Sequence, residues 1–183
     1  MNARPRTARA PETLTTERLI LRRPQAADAA AIFANYAGDA EVTRWLSWPR
    51  HRSLDDTRAF LTWSDRVWTA SGVGPYLIIE GGQVVGSTGL DLETPFRAEM
   101  GYVLRRSAWG RGLATEAAAA ITELADDLGV NRLHALCHPD NVASASVLTK
   151  TDFVREGVLR RHSIFPNLSS TVPQDVVCWA RIC

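Results

Sequence analysis

Lysine is almost missing from this chain: Lys150 stands alone beside twenty arginines, and 21 basic side chains meet 20 acidic ones for a formal net charge of +1. A balance that close speaks against a nucleic-acid binder, which carries a basic excess on one face. Only the first 23 residues lean positive, with Arg4, Arg6, Arg9, Arg18, Arg22 and Arg23 against Glu12 and Glu17. Arginine's planar fork suits phosphate and carboxylate, but arginines this numerous, with no lysine alternative, report the codon usage of a GC-rich genome more than a site. Cysteine is scarce too. Cys137, Cys178 and Cys183 are odd in number and share no C-x-x-C spacing, which speaks against a disulfide framework or a structural zinc site and fits a reducing cytoplasm. No stretch approaches the roughly 20 apolar residues of a membrane span, and the opening residues lack the apolar centre of a secretory signal.

What is present is an ordinary core. The 183 residues are 45 % apolar, and a compact fold of that length buries roughly 70 % of the surface its unfolded chain exposes. Residues 1–13, rich in Arg and Pro, read as a disordered arm, and residues 14–183 as a single domain. Residues 18–23 form a short strand stopped by Pro24. A helix over 28–37 is closed by Gly38, and a second begins at Ser53 as N-cap and ends near Gly72, with Trp63 and Trp68 on its buried face. Two strands, 75–80 and 83–92, meet across Gly81 and Gly82, a dipeptide suited to a hairpin turn. Strand 97–105 leads through a glycine-bearing turn into a strong helix ending at Gly129; strand 132–137, a helix over 141–150 and strands near 153–161 and 175–182 follow. The sum is an α+β domain on a central mixed sheet.

The sharpest local feature is the turn Trp109, Gly110, Arg111, Gly112, Leu113, Ala114. Two glycines let backbone approach a ligand closely, and the unsatisfied N–H groups of the helix start, aided by its dipole, suit a pyrophosphate. Arg105, Arg106 and Arg111 stand ready as side-chain partners. The pattern is neither a nucleoside-triphosphate loop, since no Gly-Lys-Ser/Thr follows, nor a dinucleotide fingerprint, which needs a third glycine.

Read along its length, the chain resembles the GNAT acetyltransferases, and within them the Rim-type branch that acetylates the N-termini of ribosomal proteins. The resemblance rests on LTTERLILRR at 14–23, the WP of LSWPRHRSLDDTR at 46–58, EMGYVL at 99–104 followed by WGRGLATEA at 109–117, CHPDNVAS at 137–144, DFVREG at 152–157 and DVVCWARI at 175–182. It implies a mostly antiparallel seven-stranded sheet, splayed between its fourth and fifth strands and flanked by about four helices. It implies direct transfer of acetyl from acetyl-CoA to a primary amine, without a metal. The chain departs from the family pattern at three places. Trp109 takes the Gln/Arg position of the cofactor turn. Leu148 falls where many relatives carry a tyrosine, and Asp152 where a glycine precedes Phe153.

On that resemblance, the N–H groups from Trp109 and Gly110 through Arg111, Gly112, Leu113 and Ala114 hold the pyrophosphate with help from Arg106. The backbone near Val103 or Leu104, at a bulge on the fourth strand, supplies a donor to the thioester carbonyl. Glu99 is the first choice of general base, with Asp91, His138 and His162 behind it; the bland alternative is a strand carboxylate paired with arginine. Ser144, in N-x-x-S with Asn141, would stabilise the leaving thiolate or simply sit in a helix first turn. Asn141 is divided between helix cap and a bond to the pantetheine arm. Trp45 and Trp48 are expected to line the acceptor groove, and Asp175 to recognise an ammonium or anchor a turn. An acidic acceptor groove would draw on Glu41, Asp55, Asp56 or Asp175. The leading acceptor is a protein or peptide N-terminal amine, with a small amine (antibiotic, amino acid or polyamine) as alternative, and a non-catalytic acyl-CoA sensor as a reading of another class. A monomer or homodimer in the cytoplasm, with no nucleic-acid or membrane partner, completes the expectation.

Overall fold

The computed structural model describes residues 9–183. Its strands are β1 (Thr13–Thr15), β2 (Ile20–Arg22), β3 (Pro75–Glu80), β4 (Gln83–Thr94), β5 (Arg97–Leu104), β6 (Arg132–Cys137), β7 (Val154–Ser163) and β8 (Gln174–Ile182). They form one sheet in the order β1-β2-β3-β4-β5-β6-β8-β7. Every neighbouring pair is antiparallel except β5 and β6. The parallel pair follows from the crossover helix α3 (Leu113–Asp127) between those two strands. At Gly81 and Gly82 both φ values are positive, 55° and 78°, as the two-residue turn joining β3 to β4 requires.

The sheet has eight strands rather than seven. The additional strand, β1, pairs Thr13 with Arg22 and Thr15 with Ile20; three residues are too few to display alternation in a sequence. The folded body also starts earlier than residue 14. Ala10 is buried and donates its N–H to the Gly72 carbonyl at 2.8 Å, and the Tyr76 hydroxyl donates to the Pro11 carbonyl at 2.7 Å. The rest of the expected arm, residues 1–8, lies outside the described residues.

The helices divide between two faces. On one face, α1 (Ala29–Ile32) runs into a π-helical turn at Phe33–Ala37, and α2 (Leu54–Ser71) lies beside them; Ile32, Tyr36 and Leu61 pack there on Leu77, Ile79 and Val84. Ser53 and Asp56 cap α2 reciprocally, with Asp56 N–H to Ser53 Oγ at 3.3 Å and Ser53 N–H to Asp56 Oδ2 at 3.0 Å, and Gly72 ends it in the left-handed conformation. Trp68 is buried as expected, but Trp63 is 51 % exposed, one position out of the apolar stripe. On the other face, α3 and α4 (Val142–Lys150) cover Leu90, Ala98, Met100, Leu104, Leu133 and Ala135. After α4, Asp152 holds φ 64°, the left-handed conformation that its short polar side chain tolerates in place of glycine.

One departure from regularity positions everything that follows. β5 pairs with β6 only at Arg97↔Arg132, Ala98↔Leu133 and Glu99↔His134. β6 then keeps its register with β8 to Cys137↔Val177, while β5 keeps its own with β4 up to Gly86↔Leu104. The two strands therefore part after Glu99, and a gap opens through the sheet. The expected bulge on β5 does not open it. β5 runs in constant register from Leu92↔Ala98 to Gly86↔Leu104, and the bulge lies on β4 at Val85, where Ile78↔Gly86 is followed by Ile79↔Val84.

Candidate active site

The gap is lined by backbone donors on its β5 side. Arg105 donates its N–H to the Val85 carbonyl at 2.8 Å. Hydrogen-bonded and non-bonded pairs alternate in an antiparallel ladder, so Gly101 and Val103 turn their N–H and C=O toward β4 while Tyr102 and Leu104 turn theirs into the gap. Two contacts agree: Thr88 Oγ1 donates to the Gly101 carbonyl at 2.9 Å, and a Cβ at Gly86 would collide with the Val103 carbonyl oxygen. Of the two residues expected to offer a donor, Leu104 does and Val103 does not; Tyr102 is the second.

Beyond Leu104 the chain makes a 3-10 turn, Arg106–Ala108, and then the glycine turn. Gly110 and Gly112 hold φ 71° and 78°, and Gly112 caps α3 with no side-chain partner for its N–H groups. Among the described residues, no acceptor faces the N–H groups of Gly110, Arg111, Gly112, Leu113, Ala114 or Thr115, whereas Trp109 donates to Arg106 and Glu116 to Gly112. Six consecutive free donors at the mouth of a 15-residue helix form a cradle for phosphate oxygens. The residues therefore fit the diphosphate of a nucleotide-bearing thioester.

The guanidinium groups are arranged differently from expectation. Arg111 forms a two-pronged pair with Glu80 at 2.5 and 2.8 Å, and Arg106 bonds Asp39 at 2.9 Å and Glu41 at 3.2 Å, so both are engaged by carboxylates. Arg18 is the cation at the turn that the sequence did not single out. It donates through Nε to Glu116 at 2.6 Å and through Nη1 to the Arg111 carbonyl at 2.9 Å, and its Nη2 lies 3.5 Å from where a Cβ would stand on Gly112. Burial alone would raise the Glu116 carboxyl, but the Thr16 hydroxyl and the Arg18 amide and guanidinium hold it below the ordinary range. Its charge is thereby neutralised beside the cradle.

On the same face, α4 begins at the open end of the gap. Asn141 accepts the Ser144 N–H at 3.2 Å, so it is the helix cap. Ser144 is half-buried, and its Oγ lies 3.0 Å from the Tyr102 hydroxyl. Leu148 is fully buried core and offers no hydroxyl.

The opposite face carries Glu99, Gly101 and Val103, with Asp91 across from Glu99 and Glu93 two residues further along β4. Nothing lies within 4 Å of where a Cβ would stand on Gly101, so the strand is bare there. Burial first, then the neighbouring charges of Glu93 and Asp91, raise Glu99 above the usual carboxylate value. His134 Nε2 stands 3.7 Å from Glu93 Oε1 and 3.8 Å from Glu99 Oε2, and burial pushes its pKa down. These three acids form an acidic surface on this face of the sheet. The four residues expected to supply it are engaged elsewhere: Glu41 pairs Arg106, Asp55 pairs Arg58, Asp56 caps α2, and Asp175 accepts the Arg161 N–H at 2.8 Å.

Two loops wall this face. Trp45 stacks on His138 with ring centroids 4.4 Å apart, and Phe165 meets His138 edge-on at 5.1 Å. Asn167 fastens the loops together, donating to the Thr43 carbonyl at 2.7 Å and the Trp48 carbonyl at 2.9 Å and accepting the Arg50 N–H at 2.8 Å. Trp48 packs against the core beneath. His138 is thus a wall residue, and among the described residues His162 bonds Ser163, at 2.9 Å.

The sequence profile of the acetyltransferase (GNAT) domain matches residues 18–154. An uncharacterized N-acetyltransferase p20 of Bacillus licheniformis is 32 % identical over 154 residues, 81 % of this chain and 86 % of that protein. Among solved structures, the microcin C7 self-immunity acetyltransferase MccE, in complex with acetyl-CoA and AMP, superposes with a TM-score of 0.82 at 20 % identity, over 92 % of this chain and 94 % of that one. RimL, the ribosomal L7/L12 alpha-N-protein acetyltransferase in complex with coenzyme A, does so with a TM-score of 0.81 at 23 % identity, over 96 % and 98 % of the two chains.

Proposed function

The chain belongs to the GNAT acetyltransferase family, whose acyl donor is acetyl-CoA, and from that premise we propose that it acetylates the N-terminal amine of a protein or peptide. The observation that carries the reading is the division of the site between the two faces of the sheet. A phosphate cradle lies on one, three carboxylates lie on the other, and the gap between β5 and β6 joins them.

The thioester supplies an acetyl carbonyl open to attack by an amine. The N–H groups of Gly110 through Thr115 take the diphosphate, with Arg18 at their edge. The Leu104 and Tyr102 N–H groups, directed into the gap, stabilise negative charge on an oxygen placed there. Asp91, Glu93 and Glu99 attract a cationic acceptor to the other side. An ammonium is no nucleophile, and Glu99, with its pKa raised toward the working range, accepts its proton. The bare stretch of β5 at Gly101 leaves room for a chain end entering from solvent, and RimL, with the same fold, is described as acting on an N-terminus. The Trp45–His138–Phe165 stack also suits a ring-bearing small amine, the second acceptor class.

A thiol-release assay with acetyl-CoA across unblocked peptides, N-terminally blocked peptides and small amines tests the reading. Turnover on unblocked peptides alone is expected. Turnover on small amines without peptides moves the acceptor to that class, and acetyl-CoA binding without thiol release from any amine makes the protein a sensor.

A further inference from the structure

The tyrosine next to the gap makes a contact that the roles above leave unused. Tyr102 projects from β5 toward α4, and its hydroxyl lies 3.0 Å from Ser144 Oγ and 3.0 Å from the Ser144 carbonyl oxygen. The bond is long in sequence, 42 residues, and it joins β5 to the helix that follows β6, across the opening where those strands have parted. A tyrosine hydroxyl has one proton and two acceptor sites, and a serine hydroxyl likewise. Two arrangements satisfy the pair. In one, Tyr102 donates to the carbonyl and Ser144 donates to Tyr102, so the serine proton is consumed. In the other, Tyr102 donates to Ser144 Oγ, which frees the serine proton to turn either into the gap or to the Cys137 sulfur beside it.

The geometry points to Tyr102 as the positioning residue for Ser144: its hydroxyl turns the serine O–H toward the sulfur that departs from the acetyl group. The inference rests on the acetyl-CoA reading and deepens it. The step balances without a proton from the tyrosine. Glu99 has taken the ammonium's proton; the amine lone pair then forms the C–N bond, the C–S electron pair leaves on sulfur, and the second nitrogen proton passes to solvent. The thiolate is held by the Ser144 O–H until solvent protonates it. Burial raises Tyr102 far above the ordinary tyrosine value, so the phenol orients and does not ionise. The other titratable group at this spot is Cys137 on β6, which burial raises and which stays a neutral thiol. Leu148, one turn further along α4, is buried and offers no hydroxyl of its own.

The test compares binding of CoA and desulfo-CoA by calorimetry between pH 7 and 9.5. A free thiol titrates near about 8.5, and each pKa unit by which the site lowers it raises the affinity ratio about tenfold at high pH. Cys137 is present in both complexes and cancels from the ratio. In wild type the CoA to desulfo-CoA ratio climbs with pH; in Ser144→Ala and Tyr102→Phe alike it stays flat, while desulfo-CoA affinity is unchanged. Turnover in both variants falls about 10- to 100-fold at constant acetyl-CoA KM, the loss expected of one hydrogen bond to a charged group, and the double variant is no slower. A wild-type ratio flat with pH, or a climb retained in Tyr102→Phe, overturns the inference. Failure of wild type to bind either compound overturns the acetyl-CoA reading, a different result. Should Tyr102→Phe not fold, fluorine NMR of 3-fluorotyrosine-labelled wild type decides, because the chain has only three tyrosines. The Tyr102 resonance then moves when CoA replaces desulfo-CoA at pH 9, and an unmoved resonance overturns the inference.

Discussion

The indole of Trp109 donates its N–H to the carbonyl of Leu104 at 2.7 Å. Leu104 therefore spends its carbonyl on the residue that opens the phosphate turn, and its N–H on the gap. The bond ties the cradle to the end of the strand carrying the carbonyl donors. It also gives a physical reason for tryptophan where other GNAT chains have glutamine or arginine, since the indole is both donor and partial cover for the turn.

Replacing Trp109 with Phe keeps the ring and removes the donor. Urea unfolding should show a loss of about 1–2 kcal/mol, the cost of leaving one carbonyl unmatched. The KM for acetyl-CoA should rise several-fold with the acceptor KM unchanged.

Gly112→Glu brings a Cβ to φ 78° beside Arg18 and a carboxylate to the cradle. Thermal melts with and without acetyl-CoA check it. Wild type at 100-fold over Kd gains about 2.7 kcal/mol, and the variant should gain nothing. Equal stabilisation would remove the turn from the cofactor site.

The pH profile follows from Glu99. Its pKa is raised by burial, Glu93 and Asp91, with His134, Arg97 and Arg132 also nearby, so the acid limb of kcat/KM should sit above the ordinary glutamate value. Glu93→Gln removes one like charge and should move that limb to lower pH; Glu99→Gln should abolish it and cut turnover. A raised carboxylate binds more protons folded than unfolded, so it lowers stability as pH rises through its titration. Glu99→Gln should therefore melt higher than wild type at pH 7, with the difference vanishing below pH 4.

Asn167→Ala removes three bonds that fasten together the loops proposed to hold the acceptor. A stability loss of about 1–3 kcal/mol is expected, with a higher acceptor KM and an unchanged KM for acetyl-CoA. Steady-state kinetics with either substrate varied separates these outcomes.

Local signals were the legible ones. Ser53, Gly72, Gly81 with Gly82, and Asn141 all act where sequence chemistry placed them, because caps and turns are decided within a few residues. The glycine turn before α3 was legible for the same reason. What sequence could not show was pairing across the chain. Arg106 and Arg111 looked free because Asp39, Glu41 and Glu80 lie 67, 65 and 31 residues away. Glu93 gained meaning only when β4 and β5 were in register beside His134, and Tyr102 only when α4 brought Ser144 to it. Alternation did place Glu99 with Gly101 and Val103, but which backbone groups faced β4 depended on the phase of the ladder, set by the Arg105–Val85 bond. Trp63 failed for a simpler reason: helical spacing gives a stripe, and its edges are fixed by what packs against them.

Under the proposed function, donor and acceptor meet through a slot between two strands, each held by groups of its own sheet face. Mutation can therefore rewrite the loops bearing Trp45 and Phe165 without touching the turn from Trp109 to Ala114, and selection on the acceptor can proceed while the acyl-donor half is left alone. The slot lets the two halves of the site vary independently within one chain.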